Sequence, residues 1–180
     1  VNEYEKKYRE AIQGTWMEEH EARTRLCREY AWAVPCDEAL EVLAGLGPIV
    51  EGGAGSGYWT HLLRERGVDV VAYDVAPHDN EWVKAGWSDV LVGGAEQMAP
   101  HRDRTLLLVW PPYDDRMALD HVMAHGGQTV CYVGEGEYGC TGDDAFHRYL
   151  DENFEVIAEV DIPRWRNIGD SMWVYRRKAA

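Results

Sequence analysis

The stretch Glu51-Gly52-Gly53-Ala54-Gly55-Ser56-Gly57 places an acid ahead of three alternate glycines, directly after the apolar run Pro48-Ile49-Val50. Glycines at 53, 55 and 57 remove Cβ atoms where a chain must turn with unusual dihedrals and where a ligand comes close to the backbone. Tyr58 and Trp59 then open an amphipathic segment, and the first amides of a helix there have no partner within it and face whatever lies at its start. The pattern predicts strand, tight turn and helix N-terminus around a nucleotide-like ligand. A dinucleotide fingerprint counted from Gly53 needs glycine at 58; Tyr58 stands there, which weakens a dehydrogenase reading. A second acid, Asp74, ends the β-branched run 68–73, and a carboxylate at a strand tip can accept hydrogen bonds from both hydroxyls of a ribose. His121 and His125 lie four apart but lack the glutamate of a zinc-protease motif, so both are expected in solvent. Cys27, Cys36, Cys131 and Cys140 form no CxxC pair; free thiols and no metal site are expected.

The elements that must position these groups follow from periodicity. Apolar residues at helical spacing predict helices over 2–14 and 17–30, and Asp37 is the expected N-cap of a short helix through Leu43. Strand 49–51 leads into the glycines. The following helix runs to Arg66, where Gly67 stops it, and the run 68–73 reads as a strand buried on both faces. Further strands are predicted over 90–92, 105–109 and 129–133, with helices over 117–124 and, capped by Asp143, through Leu150. Strands 154–162 and 172–176 close the chain. Only 163–171 separates them, too short for a helical crossover, so this pair is expected as an antiparallel hairpin.

The run from Glu51 to Gly57, acid-x-Gly-x-Gly-x-Gly, and Asp74 at the next strand end resemble the first two motifs of the class I S-adenosylmethionine-dependent methyltransferases. The resemblance implies a Rossmann-like α/β sheet of seven strands in the order 3-2-1-4-5-7-6 with the last strand antiparallel. It covers a methyltransferase-like domain over 37–180, preceded by an N-terminal helical extension over 1–36. S-adenosyl-L-methionine is the implied cofactor: Glu51 for its methionine end, Gly53, Gly55 and Gly57 beside sugar and methionine, Asp74 for the ribose, and Ala95 and Glu96 for the adenine. Trp110-Pro111-Pro112-Tyr113-Asp114 resembles the fourth motif, which flanks the transferable methyl. Methylases of exocyclic amines and some protein amides begin that motif with Asp or Asn, whose oxygen holds the target NH; Trp110 stands there instead, so amine or amide methylation by that route is not expected, and Trp110 is expected as an aromatic wall near the sulfonium. Gly52 also departs from the family, which has an apolar strand residue at that position. The acceptor is expected between the 110–113 turn and the glycine-rich loop 134–142, roofed by the aromatic stretch 30–35. Tyr113 is expected to orient it, and Glu135 to act as hydrogen-bond acceptor or base.

Length and charge bound the partners. One domain suits 180 residues, and 32 acids against 18 lysines and arginines give a net charge of −14. A phosphate backbone would meet a repulsive field, so a nucleic-acid substrate is disfavoured and a neutral or cationic small-molecule acceptor expected. No apolar run is long enough to span a bilayer, and residues 1–12 are charged and helix-patterned, which predicts a cytoplasmic protein. The alternatives are a non-catalytic module that binds S-adenosylmethionine for regulation or assembly, and a nicotinamide-dependent dehydrogenase.

Overall fold

Alternation within single strands builds this molecule in three layers. In the computed structural model, which describes residues 1–179, Leu106 and Leu108 face one side of the sheet and Leu107 the other, all fully buried. Val130 and Tyr132 likewise oppose Cys131 and Val133, as the two-residue period of a strand requires. These residues lie on β4 (Thr105–Val109) and β5 (Thr129–Gly134), the centre of a seven-stranded sheet.

Ahead of the sheet run α1 (Glu3–Ala11), α2 (Trp16–Glu29) and α3 (Asp37–Gly45). The side chain of Asn2 caps α1, and Thr15 with Glu18 forms a reciprocal capping box on α2. Then follow β1 (Ile49–Gly52), α4 (Tyr58–Glu65), β2 (Val70–Asp74), β3 (Leu91–Val92), β4, α5 (Met117–His125), β5, α6 (Asp144–Asn153), β6 (Phe154–Asp161) and β7 (Ser171–Arg177). The order across the sheet is β3-β2-β1-β4-β5-β7-β6. The first five strands are parallel, and β7 runs antiparallel to both β5 and β6. This is the class I methyltransferase sheet, with the expected hairpin between β6 and β7.

Two apolar layers cover it. Tyr4, Leu26, Leu40 and Trp59 from α1 to α4 share one cluster with Ile49 and Leu107, while Val122 and Phe146 from α5 and α6 join Val50, Leu106 and Leu108 on the other face. Each such side chain, fully buried, contributes roughly 1.5–3 kcal/mol relative to exposure. The parallel strands end at one edge, where β1, β2 and β4 deliver Glu51, Asp74 and Trp110 to a shared cavity.

Three local expectations need correction. Asp37 is the first helical residue rather than the cap; Cys36 occupies the cap without a side-chain bond, and Asp37 instead receives the N-terminal ammonium and Arg66. The second strand starts at Val70, and its residues alternate between buried and half-buried, because its two faces are unequally covered: Val70 joins the α1–α4 cluster, while Tyr73 is only half-buried against the other. His121 and His125 are both buried. With Ala118 and Val122 they occupy the i, i+3, i+4, i+7 stripe that α5 turns towards the sheet, so the same spacing that brings them together buries them.

Candidate active site

The cavity has a volume of about 530 Å³ and opens at the carboxyl ends of β1, β2 and β4, where open α/β sheets bind ligands. Its floor is the glycine turn. Gly53, Gly55 and Gly57 have φ of 68°, 54° and 73°, a region side chains avoid, and Gly57 is the N-cap of α4. Asp74, 8% exposed, ties that turn down: one carboxylate oxygen accepts from Gly55 N at 2.8 Å, the other from Ala76 N at 2.8 Å. A carboxylate has about four lone-pair directions, so acceptor capacity remains after both bonds.

Glu51 stands beside it, 1% exposed, at the cavity wall. Thr60 of α4 donates its hydroxyl to Oε2, and no lysine or arginine pairs with the carboxylate among the described residues. Burial, and secondarily the charge of Asp74, pushes its pKa up to about 7. Behind Glu51, Gly52 has a physical reason to lack a side chain, since a Cβ there would collide with the imidazole of His121. His121 faces the cavity, 4% exposed. Its Nδ1 lies 2.7 Å from Met117 O, its Nε2 has no partner, and burial holds its pKa below the ordinary value.

The methyl-end expectations divide. Trp110 faces the cavity with φ of 52°, stacks on Trp32 at 5.1 Å between ring centroids, and donates Nε1–H to Asp170 at 2.7 Å. Tyr113 also faces the cavity and is 48% exposed. Glu135 is not among the lining residues. One of its oxygens accepts from Gly169 N at 2.7 Å and the other from the backbone and thiol of Cys140, at 2.9 and 2.8 Å. Burial raises its pKa, but these hydrogen bonds outweigh it and hold the carboxyl below the ordinary value, which suits a loop staple better than a base. The 110–113 turn and the 134–142 loop do meet, yet they are pinned together by a Pro112–Thr141 bridge and by Gly142 N donating to Pro111 O. Pro111, Pro112 and Tyr113 of the turn and Cys140 of the loop still line the cavity, which extends on towards Trp32, Trp82 and Asp114. Of the stretch expected to meet the adenine, Gly93 and Gly94 face the cavity; Ala95 and Glu96 do not, and Glu96 accepts from Gly94 N at 2.9 Å.

Sequence reasoning missed two lining residues, His121 and Trp82, and Asp170, which lies behind Trp110 and accepts its indole N–H. His121 was legible in the apolar stripe of α5. Trp82 comes from the irregular segment between β2 and β3, where no period marks it. Asp170, 1% exposed with Oδ2 unpartnered and pKa pushed to about 7 by burial, precedes β7 and carries no motif.

The fold and this edge define the class I methyltransferase arrangement, and solved structures share it at low sequence identity. Magnesium protoporphyrin IX methyltransferase (ChlM) from Synechocystis PCC 6803, with bound S-adenosylmethionine, matches with a TM-score of 0.56 and 11% identity over 98% of this chain and 93% of that one. Sp1610 of Streptococcus pneumoniae, named as a candidate tRNA (m1A22) methyltransferase, matches at 0.52 and 14% identity over 81% of this chain and 72% of that one. An rRNA methylase from Streptococcus thermophilus matches at 0.50 and 13% identity over 81% and 98%. No family model matches the chain, and no curated protein matches it in sequence. The RNA methylases correct the expectation that nucleic acid is disfavoured. This fold spans almost all of that rRNA methylase, and a net charge of −14 describes the whole surface rather than its local field. Among the described residues no helix is long and apolar enough to cross a membrane.

Proposed function

We propose that the protein binds S-adenosyl-L-methionine and transfers its methyl group to a small-molecule acceptor. The observation that carries this reading is Glu51: a buried carboxylate on the wall of a ligand-sized cavity, lacking a cationic partner, beside a glycine turn that leaves backbone open to a ligand. An ammonium group is the chemistry such a carboxylate calls for. Glu51 would hold the methionine end, the glycine turn would pass beside the sugar, and the spare acceptor sites of Asp74 would take ribose hydroxyls. When bound, the cofactor supplies an electrophilic methyl on a sulfonium. This chain's contribution is to orient the acceptor and exclude water, tasks suited to Trp32, Trp110 and the turn at Tyr113.

A non-catalytic module is the second reading, favoured by Glu135, whose oxygens are engaged in loop bonds. Release of S-adenosylhomocysteine with a panel of small acceptors and RNA separates the readings. Methyl transfer to a small molecule, lost in Glu51→Gln, is expected. Cofactor binding without any demethylated product would favour the module, and transfer to RNA alone would replace the acceptor class.

A further inference from the structure

The cavity wall is chemically one-sided. Glu51, Asp74, Glu81, Asp114 and Asp115 face it, and among the described residues no lysine or arginine does. Glu51 and Asp74 belong to the cofactor end; Glu81, Asp114 and Asp115 sit on exposed segments at the other end, beside three tryptophans. Trp32 stacks on Trp110 at 5.1 Å and 24°, and meets Trp82 edge to face at 5.8 Å and 76°. Its indole N–H, directed to Trp82 O at 3.2 Å, fixes the arrangement. Aromatic faces attract cations and offer nothing to an anion.

Two further observations point the same way. With Nδ1 donating to Met117 O, the unpartnered Nε2 of His121 is an acceptor, and its buried lone pair calls for a donor. Arg23 places its guanidinium carbon 5.6 Å and 5.9 Å from the centroids of Trp32 and Trp110, so these rings already hold one cation. Arg23 itself does not face the cavity, and Glu135 and Asp170 feel its charge.

Resting on the cofactor reading above, we propose that the acceptor is an amine, positively charged when bound or once methylated, held against Trp32, Trp82 and Trp110 with Glu81 and Asp114 as its counter-charges, in place of the Asp or Asn that position 110 lacks. In methylation of an amine the nitrogen lone pair forms the new N–C bond while the electrons of the S–C bond return to sulfur, so positive charge passes from sulfur to nitrogen. A wall of acids and aromatic rings accommodates that charge at either end of the transfer. An amine bound as its ammonium gives its proton to solvent at the exposed rim before its lone pair is available.

The test compares choline with 3,3-dimethylbutan-1-ol, which replaces the charged nitrogen by carbon, in calorimetric titrations of protein saturated with S-adenosylhomocysteine. Choline should bind about tenfold tighter, the scale of a partly desolvated cation–aromatic contact, and Trp82→Ala and Asp114→Asn should each shrink that preference. Equal affinities for the pair, or tighter binding of acetate or of a short RNA oligonucleotide, would overturn the proposal. The preliminary titration with S-adenosylhomocysteine reads the cofactor reading separately. Should it give no binding, that reading fails, and the same pair titrated into the free protein still decides the charge preference.

Discussion

A carboxyl buried as deeply as Glu51 gives up its proton only against the cost of charging a desolvated group. Its folded pKa of about 7 lies above the ordinary 4.5, so between those values the folded chain binds more protons than the unfolded one, and stability falls as pH rises. The interval corresponds to about 3 kcal/mol, fully present below pH 4.5 and gone above pH 7. Other carboxyls titrate in this window, Asp170 in the same direction, so the readout is the difference in unfolding free energy between wild type and Glu51→Gln without ligand. That difference should shift against the wild type by up to about 3 kcal/mol from pH 4.5 to 7.5; a flat difference would show that Glu51 titrates normally. Asp74 predicts a mixed outcome. Asp74→Ala should weaken S-adenosylmethionine binding by about 1.5–3 kcal/mol and, by freeing Gly55 N and Ala76 N, should also lower stability by about 1–3 kcal/mol. Calorimetry and chemical denaturation read the two effects, and unchanged affinity in a folded variant would remove Asp74 from the ribose site.

Between elements, the contact of β1 with α5 decides what position 52 can hold. The His121 ring lies where a Cβ on Gly52 would be, which turns the departure from an apolar strand residue into a packing requirement. Gly52→Ala should therefore destabilise by about 1–3 kcal/mol through overpacking, and combining it with His121→Ala should recover a good part of that loss. Strictly additive denaturation energies would refute the contact. The pair also shows where sequence stops being informative. Each half was visible alone, the glycine as an oddity and the histidine as a polar residue, but their contact joins positions 69 residues apart. Elements with a strong local period were legible: Thr105–Val109 agrees at both ends, and the β6–β7 hairpin followed from loop length alone. The segment from Val75 to Val90, which contributes Trp82, has no period, and its position is set by side-chain contacts such as Trp87 Nε1 to Glu29 O at 2.6 Å. Of the candidate site, Glu51, Asp74 and the glycines were readable because strand ends place them at one edge. That Cys140 and Gly169 hydrogen-bond both oxygens of Glu135 was not legible, because an acid in a glycine-rich loop does not reveal its partners.

Across the whole molecule, the N-terminal helices and the sheet share one apolar cluster. Tyr30 of the α2–α3 linker stacks on Tyr4 and on Trp87, and Tyr8 donates to Arg164 O at 2.7 Å, tying α1 to the β6–β7 connection. Residues 1–36 and the sheet should accordingly melt together: a single calorimetric transition is expected, whereas an early transition confined to the helices would mark them as separable. Net charge stands at the same scale, and here composition misled, because a sum of −14 locates no acid. Only the fold shows that five acids, at 51, 74, 81, 114 and 115, converge on one cavity. The central claim is that this cavity receives S-adenosylmethionine with Glu51 as its buried counter-charge. Isothermal titration of wild type and Glu51→Gln with S-adenosylmethionine tests it most directly: one site per chain is predicted, weakened at least about tenfold by the substitution. Absence of binding to the wild type, or equal affinity for the two proteins, would contradict the account.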